Sequence, residues 1–548
     1  GAQAYVSAAM YFQARMSWHW GIVPALIVSV FLLAPAIGFV LERLVFRYLR
    51  TASSVAKLVV TIGLAVALPS LFDLVLGFHS VAGQTPVGII PGGATVFYNP
   101  LGVYALSRNE LTAVAVAATA MVGLAAMFRY TTIGLRMRAV VESPRMTELS
   151  GVRSDLVSSF SWALSSFFAG LAGVLIAPRF NTLGAPDFFN LVVIAIAAAA
   201  IGRLVNLPRT LAGGLGLGLL IAVFQTFLPR WTDSLPWLAT IQQNITPALP
   251  FVVLVSWPAL RNRREASDPL SGVDPPPPAP AALTRSVGLT RATRLFAVVF
   301  FGVAGSVVFF RGDASWTYLV TQAAIMSLIF LSITVITGLA GEISLCQGTF
   351  AAIGGFTVFQ LASHGVGVLP AALIGAVVAA VVGSVLSLPV LRLGGIWLSI
   401  ATLAFAYFFD SVMVKFSWVG GGTDALLQGT RVPRPTIGPF NMNDNRSFLV
   451  LSILLLLVVA LGVVRIRQGT VGQTLRALRG SPLGAQSIGI SPARARIIAF
   501  TVSAFIAGLG GALLTIQQQN VNYPSNFSPF AGLFWLVLVV SLGPRTVE

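Results

Sequence analysis

Residues 134–175 read GLRMRAVVESPRMTELSGVRSDLVSSFSWALSSFFAGLAGVL, and residues 472–513 read GQTLRALRGSPLGAQSIGISPARARIIAFTVSAFIAGLGGAL. The two stretches align without a gap at an offset of 338, and 13 of their 42 positions are identical. Gly134, Arg138, Ala139, Ser143, Pro144 and Gly151 recur as Gly472, Arg476, Ala477, Ser481, Pro482 and Gly489, and Ala169-Gly170-Leu171 recurs as Ala507-Gly508-Leu509. Two apolar helices can share an Ala-Gly-Leu by chance, but a polar loop in the same register marks an internal duplication. Each copy reads as a basic, amphipathic loop in which Ser-Pro starts a new helical turn. A helix rich in Gly and Ala follows, the composition that lets helix backbones approach closely in a membrane.

Composition says what surrounds this repeat. Of 548 residues, 56% are hydrophobic and only 9% are charged, against roughly 25% charged in a soluble domain. So little charge cannot coat a globule of this size, and about 20 apolar residues suffice to cross a bilayer core. Apolar runs of spanning length fall near 1–13, 20–42, 54–77, 110–128, 155–178, 187–202, 210–229 and 245–260. A second set falls near 295–310, 316–338, 348–363, 369–391, 396–415, 447–465, 494–515 and 528–543. Residues 261–294 differ, running from Arg261, Arg263 and Arg264 through Pro275-Pro276-Pro277-Pro278 to Arg291 and Arg294. A proline run takes an extended form, so this segment reads as a cytoplasmic tether. The expected fold is all-α and polytopic, with two parallel halves, 1–260 and 295–548, joined by that tether.

The net charge of +17 fits arginines retained on the cytoplasmic side better than nucleic-acid binding, and the lipid bilayer is the expected surrounding. Loops 43–53, 129–154, 203–209 and 465–493 share one side under strict alternation, and three of them are rich in Arg; loop 416–446, on the other side, is an exception. Both repeat loops then face the cytosol, as parallel repeats related by an axis along the membrane normal. Two equivalent docking elements suit a twofold partner such as an ATPase dimer. The chain cannot be that ATPase by the P-loop route. Its two lysines, Lys57 and Lys415, lack the Gly-Lys-Ser/Thr context that reaches nucleotide phosphates. One cysteine, Cys346, and three scattered histidines offer no metal-ligand spacing, and no catalytic constellation or cofactor motif is visible.

These residues resemble the permease subunits of the branched-chain amino acid ABC importer family. In that family Gly-x-x-x-Arg-Ala followed by a later Gly-Ile or Gly-Val forms the cytoplasmic loop that contacts the ATPase, here Gly134 to Val152 and Gly472 to Ile490. The first half resembles the smaller permease subunit through the run from Leu41 to Arg50 and Thr61-Ile62-Gly63-Leu64. The second half resembles the larger subunit through the run from Gly338 to Gln347, then Phe350 and Gly354, Thr402-Leu403-Ala404-Phe405, Gly420-Gly421-Gly422 and Pro433-Arg434-Pro435. Cys346 stands where Gly is more usual, and Glu342 where Gln is. The resemblance implies a fusion of two permease subunits, expected to be truncated at both ends. It implies a multi-pass protein of the bacterial plasma membrane with two ABC ATPase subunits and an extracytoplasmic substrate-binding protein as partners. Its substrate would be a branched-chain or other amino acid, with urea or a short amide as the alternative. ATP would be used by the partners, with no cofactor on this chain.

Within that picture Arg138 and Arg476 contact the ATPase or cap loop carbonyls, Pro144 and Pro482 shape the loops, and Gly151 and Gly489 form tight exit turns. Glu342, Ser344 and Gln347, in a Gly-rich break between spans, and Thr61 and Thr402 are candidates for lining the pathway, since broken backbone at membrane depth lines a cavity or packs on protein. Asp73 and Asp410 lie near the outer ends of their helices and read as structural or vestibule residues. Cys346, His79 and His364 read as structural. A proton- or sodium-coupled transporter is the competing class, but it needs an ionisable residue near the midplane, and none is evident there.

Overall fold

The computed structural model describes residues 1–49, 54–77, 97–98, 106–180, 182–202, 206–229, 237–243, 248–249, 251–253, 305–306, 309–390, 396–420, 432–437, 440–441, 444–480 and 482–542. The tether and most of the runs expected near 245–260 and 295–310 lie outside them.

The protein is all-α. In chain order the principal helices of the first part are α1 (Ala2–Phe12), α2 (Ile22–Phe46), α3 (Ser54–Leu76), α4 (Arg108–Tyr130), α5 (Thr132–Glu142), α6 (Pro144–Leu149), α7 (Ser154–Ile176), α8 (Ala185–Ile201), α9 (Leu207–Phe227) and α10 (Trp237–Gln243). There follow α11 (Ala314–Leu339), α12 (Gln347–Ser363), α13 (Val368–Val390), α14 (Ile396–Ser411), α15 (Asn445–Gln468), α16 (Thr470–Gly480), α17 (Pro482–Ser487), α18 (Pro492–Gln518) and α19 (Pro529–Leu542). Ten described helical segments are long and apolar enough to cross a membrane. Two-residue antiparallel rungs, Phe97–Tyr98 with Leu106–Ser107 and Thr436–Ile437 with Phe440–Asn441, are the β pairings among the described residues.

The chain divides into two compact units, residues 1–195 with 205–208, and residues 196–204 with 209–548. The boundary falls at α8 and α9, upstream of the tether. Within the later unit Phe251 stacks on Phe408 and tilts against Phe405, both on α14.

Each unit is built around its Gly/Ala-rich helix. In the first unit α7 packs on α1 and α2, and in the second α18 packs on α11, α12 and α13. Small residues make this possible. A Cβ at Gly173 would collide with the Ala4 backbone, and one at Gly511 with the Ala351 backbone. These glycines are 338 positions apart, and each lies three residues beyond the Gly of the repeated Ala-Gly-Leu. Gly170 likewise touches Ala34 and Ser7, and Gly508 touches Ala379 and Ala376. The repeat therefore encodes one backbone-to-backbone contact twice, the mode expected where lipid removes any hydrophobic drive between helices. Outer faces are apolar, with Leu74, Val114, Val122 and Leu461 exposed.

Side-chain pairings tie neighbouring helix ends in the pattern that the alternating topology requires. Arg47 meets Asp155 at 2.5 Å, joining the end of α2 to the start of α7. Arg179 meets Glu110 at 3.0 Å, joining the opposite end of that region to the start of α4.

Candidate functional site

The two repeat loops fold alike. The first is α5–α6 and the second α16–α17, each a helix of 11 residues followed by a helix of six residues that opens at Pro. Pro144 and Pro482 open the second helix of each loop, where a missing N–H costs nothing. The Ser143 hydroxyl accepts from Met146 N at 3.4 Å and caps α6; Ser481 lies outside the described residues.

The exits match bond for bond. Gly151 N donates to Glu148 O at 2.9 Å and Val152 N to Thr147 O at 3.2 Å. Gly489 N donates to Gln486 O at 3.0 Å and Ile490 N to Ala485 O at 3.0 Å. Gly151 has φ +82° and Gly489 φ +83°. That left-handed geometry favours Gly, and the paired bonds satisfy the carbonyls at a helix C-terminus. At the loop entrances Gly134 and Gly472 are both buried, and a Cβ there would meet the last carbonyls of α4 and α15 respectively.

The arginines of the repeat part company. Arg476 Nε donates to Gly472 O at 3.2 Å, and its terminal nitrogen to Arg467 O at 2.9 Å, so it caps the end of α15. Arg138 is exposed on α5. Ala139 and Ala477 are both half-buried in the first helix of each loop.

The second loop is fastened to the Gly-rich break that follows α11. There α11 ends in a π-turn at Thr334–Leu339, and the chain stays non-helical until Gln347. The Arg479 guanidinium donates to Gly338 O and packs over Gly341, where φ is +75° and a Cβ would meet Arg479 Cγ at 2.8 Å. Leu339, Ala340, Leu475, Leu478, Ala485, Ala495 and Ala499 form one buried cluster across the loop, the break and α18. Glu342 Oε1 accepts from Arg496 Nε at 2.7 Å, with side chains 13% and 16% exposed. Arg479 and Arg496 hold the break in place, and neither is among the site candidates read from the sequence. Their repeat counterparts are Val141 and Ser158, so the one available signal was a departure from the repeat.

The remaining candidates are held by hydrogen bonds. Ser344 Oγ lies 3.3 Å from Cys346 Sγ. Gln347 accepts from Ser332 at 3.1 Å and donates to Ser503 at 3.0 Å, and Ser503 donates to Ser332 O at 2.8 Å. Thr402 Oγ1 accepts from Leu345 N at 3.0 Å and donates to Ser399 O at 2.8 Å. All are fully buried, and together they pin the break to α11, α14 and α18. Thr61 is exposed and donates to Lys57 O at 2.7 Å within its own helix. Among the described residues no cluster of three His, Cys, Asp or Glu could hold a metal. Asp73 and Asp410 sit in α3 and α14, in the quarter of each helix nearest its C-terminal end. His364 Nδ1 lies 2.7 Å from Gln360 O at the end of α12, and His79 lies outside the described residues.

The family described as "Branched-chain amino acid transport system / permease component" matches this chain twice, over residues 1–255 and 315–543. The high-affinity branched-chain amino acid transport system permease protein LivM of Salmonella typhimurium is 31% identical over 273 residues, covering 45% of this chain and 62% of that protein. LivM of Escherichia coli K12 is 31% identical over 280 residues, 46% of this chain and 64% of LivM. The LivH permease of Escherichia coli K12 is 26% identical over 209 residues, 38% of this chain and 67% of LivH. The chain thus spans less than two thirds of the length of the LivM relatives. No solved structure matches it.

Proposed function

The chain belongs to the branched-chain amino acid transport permease family, and from that premise we propose that it is the transmembrane permease of an ABC importer for branched-chain or other amino acids. It is a multi-pass inner-membrane protein. LivM and LivH are each named as a permease of a high-affinity transport system, and the chain resembles both kinds, one in each half. Two ATPase subunits dock on the loops α5–α6 and α16–α17, and a binding protein delivers substrate from the other side. The observation that supports this most directly is the matched backbone of the two loops, down to their positive-φ glycines and exit hydrogen bonds. A twofold ATPase needs two such equivalent surfaces on a chain that carries no P-loop.

Mechanically, the second loop is suited to pass movement inward. A displacement of α16 acts on Gly338 through Arg479 and on the break through the shared buried cluster. Ser344, Gln347 and Thr402 brace the wall of the pathway in this reading, with Glu342 at its cytoplasmic end; Thr61, on α3 of the first unit, is a separate candidate within its own unit. Alternating access then proceeds largely by movement of packed helical bodies, and the tether keeps the halves 1–260 and 295–548 at high mutual concentration.

The test is reconstitution in proteoliposomes with the ATPase subunits and the binding protein. Uptake of labelled leucine, isoleucine and valine is expected to require internal ATP and both partners. Uptake that persists without the ATPases and collapses with the proton gradient overturns the assignment, and uptake of urea or short amides in place of amino acids corrects the substrate.

A further inference from the structure

A cavity of about 260 Å³ lies between α16 and the first turns of α18, with Thr470, Thr474, Ser491 and Arg494 on its polar side and Ile490 and Ile498 on its apolar side. Three arginines of this region are engaged: Arg476 on carbonyls of α15 and α16, Arg479 on the break and Arg496 on Glu342. Arg494 is exposed and pairs with no described carboxylate. The Ser491 hydroxyl accepts from Arg494 N at 3.5 Å, which leaves its own proton free to donate. Thr474 Oγ1 already donates to Thr470 O at 2.8 Å, so the donors toward the cavity are the Arg494 guanidinium and the Ser491 and Thr470 hydroxyls, a donor set for phosphate oxygens. One helical turn deeper Ile498 is 40% exposed, on the segment Pro492–Gln518 that enters the bilayer.

The repeat carries the same chemistry on different residues. At the positions of Thr474, Ser491, Arg494 and Ile498 the first loop has Arg136, Arg153, Leu156 and Phe160. Arg136 and Arg153 are exposed, as are Leu156 and Phe160. Cationic charge is present in both copies although its carrier has moved, and an exposed apolar residue lies beside it each time. A residue that only capped a helix would not need that combination.

We propose that the cavity beside α16 holds the phosphate headgroup of an anionic phospholipid, with Arg494 as counter-ion and Ile498 against the acyl chain. A free phosphate ion would use the same donors but has no use for the apolar lip at Ile498. The ligand is therefore a lipid of the membrane that α18 enters, and the occupied cavity steadies the second loop against α18.

The full chain in mild detergent, examined by native mass spectrometry with added phosphatidylglycerol or phosphatidylcholine, tests this. Phosphatidylglycerol is expected to be retained preferentially, with about tenfold weaker retention in Arg494→Ala, the scale of one charge-assisted contact. Arg446→Ala, at the far end of α15, is expected to leave retention unchanged. Thr474→Leu, which fills the cavity and keeps Arg494, is expected to weaken retention as well, and it decides the matter if Arg494→Ala does not fold. Unchanged retention in both cavity variants overturns the proposal, as does equal retention of phosphatidylcholine. Displacement of phosphatidylglycerol by millimolar inorganic phosphate also overturns it, in favour of a free-anion site. So does an Arg494→Ala protein that keeps its lipid but no longer holds its ATPase subunits.

Discussion

The Glu342–Arg496 pair joins residues 154 positions apart at 2.7 Å, with both side chains largely buried. At an effective dielectric constant near 20, two unit charges at that distance attract by about 6 kcal/mol. Desolvation offsets much of this, so the pair adds little to net stability, but deleting one partner strands a buried charge at a cost of about 3–5 kcal/mol. Cys346 gives a reporter. It is the sole cysteine, four residues from Glu342, and completely buried. Its thiol meets a maleimide only when the break opens, and for rapid opening the labelling rate follows the opening equilibrium. Wild-type protein is expected to label very slowly, and Glu342→Ala or Arg496→Ala to label roughly a hundredfold faster, the equivalent of about 3 kcal/mol. The double variant is expected to label little faster than either single one, because the second deletion removes the stranded charge. Rates in the double variant equal to the product of the two single effects would refute the coupling, and unchanged labelling in both single variants would refute the role of the pair in closing the break.

Other substitutions probe the duplicated architecture. Gly511→Val and Gly173→Val place a side chain against the backbone of Ala351 and Ala4; each is expected to cost at least the 1–3 kcal/mol of core overpacking, seen as loss of monodisperse protein in detergent, while Gly462→Val, in open space on α15, is expected to be tolerated. Gly151→Ala and Gly489→Ala force a left-handed Ala at about 1–2 kcal/mol each, and equal decreases in thermal stability are expected because the two exits share φ and hydrogen bonds. On the exposed surface of the first loop, Leu149→Asp is expected to abolish binding of ATPase subunits in pull-down without altering thermal stability, since Leu149 is 83% exposed; retained binding would remove α6 from the docking surface.

Much of this fold is legible in the sequence because it rests on local or periodic signals. The apolar run near 110–128 became Arg108–Tyr130, and that near 494–515 became Pro492–Gln518. The loop glycines were legible too, since a Gly repeated after a short helix reports a left-handed turn. What could not be read is long-range. Nothing near Arg479 announces Gly338, 141 positions away. Glu342 reads locally as a polar residue in a broken segment, which fits a pathway wall as well as an ion pair. The π-turns at Ile27–Leu33, Glu42–Phe46 and Thr334–Leu339 are equally silent, because a one-residue widening of a helix is set by what packs against it.

The two loops share a backbone but not a set of side chains, and the difference has a direction. The second loop turns its residues inward: Arg479 grips Gly338, and Leu475 and Leu478 are buried against Leu339 and Ala340. The first loop exposes Val141, Met146 and Leu149 at the positions where the second exposes Arg479, Gly484 and Ser487. Burial follows nearly the same pattern in both copies, with Thr147 and Ala485 buried and the positions of Val141, Met146 and Leu149 exposed in each. What differs is the chemistry shown at those exposed positions, which is more apolar in the first loop, while the second loop exposes Ile488. An ATPase dimer acting on such a chain would meet two surfaces equal in shape and unequal in stickiness. In the proposed docking, a stroke received at α16–α17 would reach the break at Gly338–Cys346 directly, through Arg479 and the shared buried cluster.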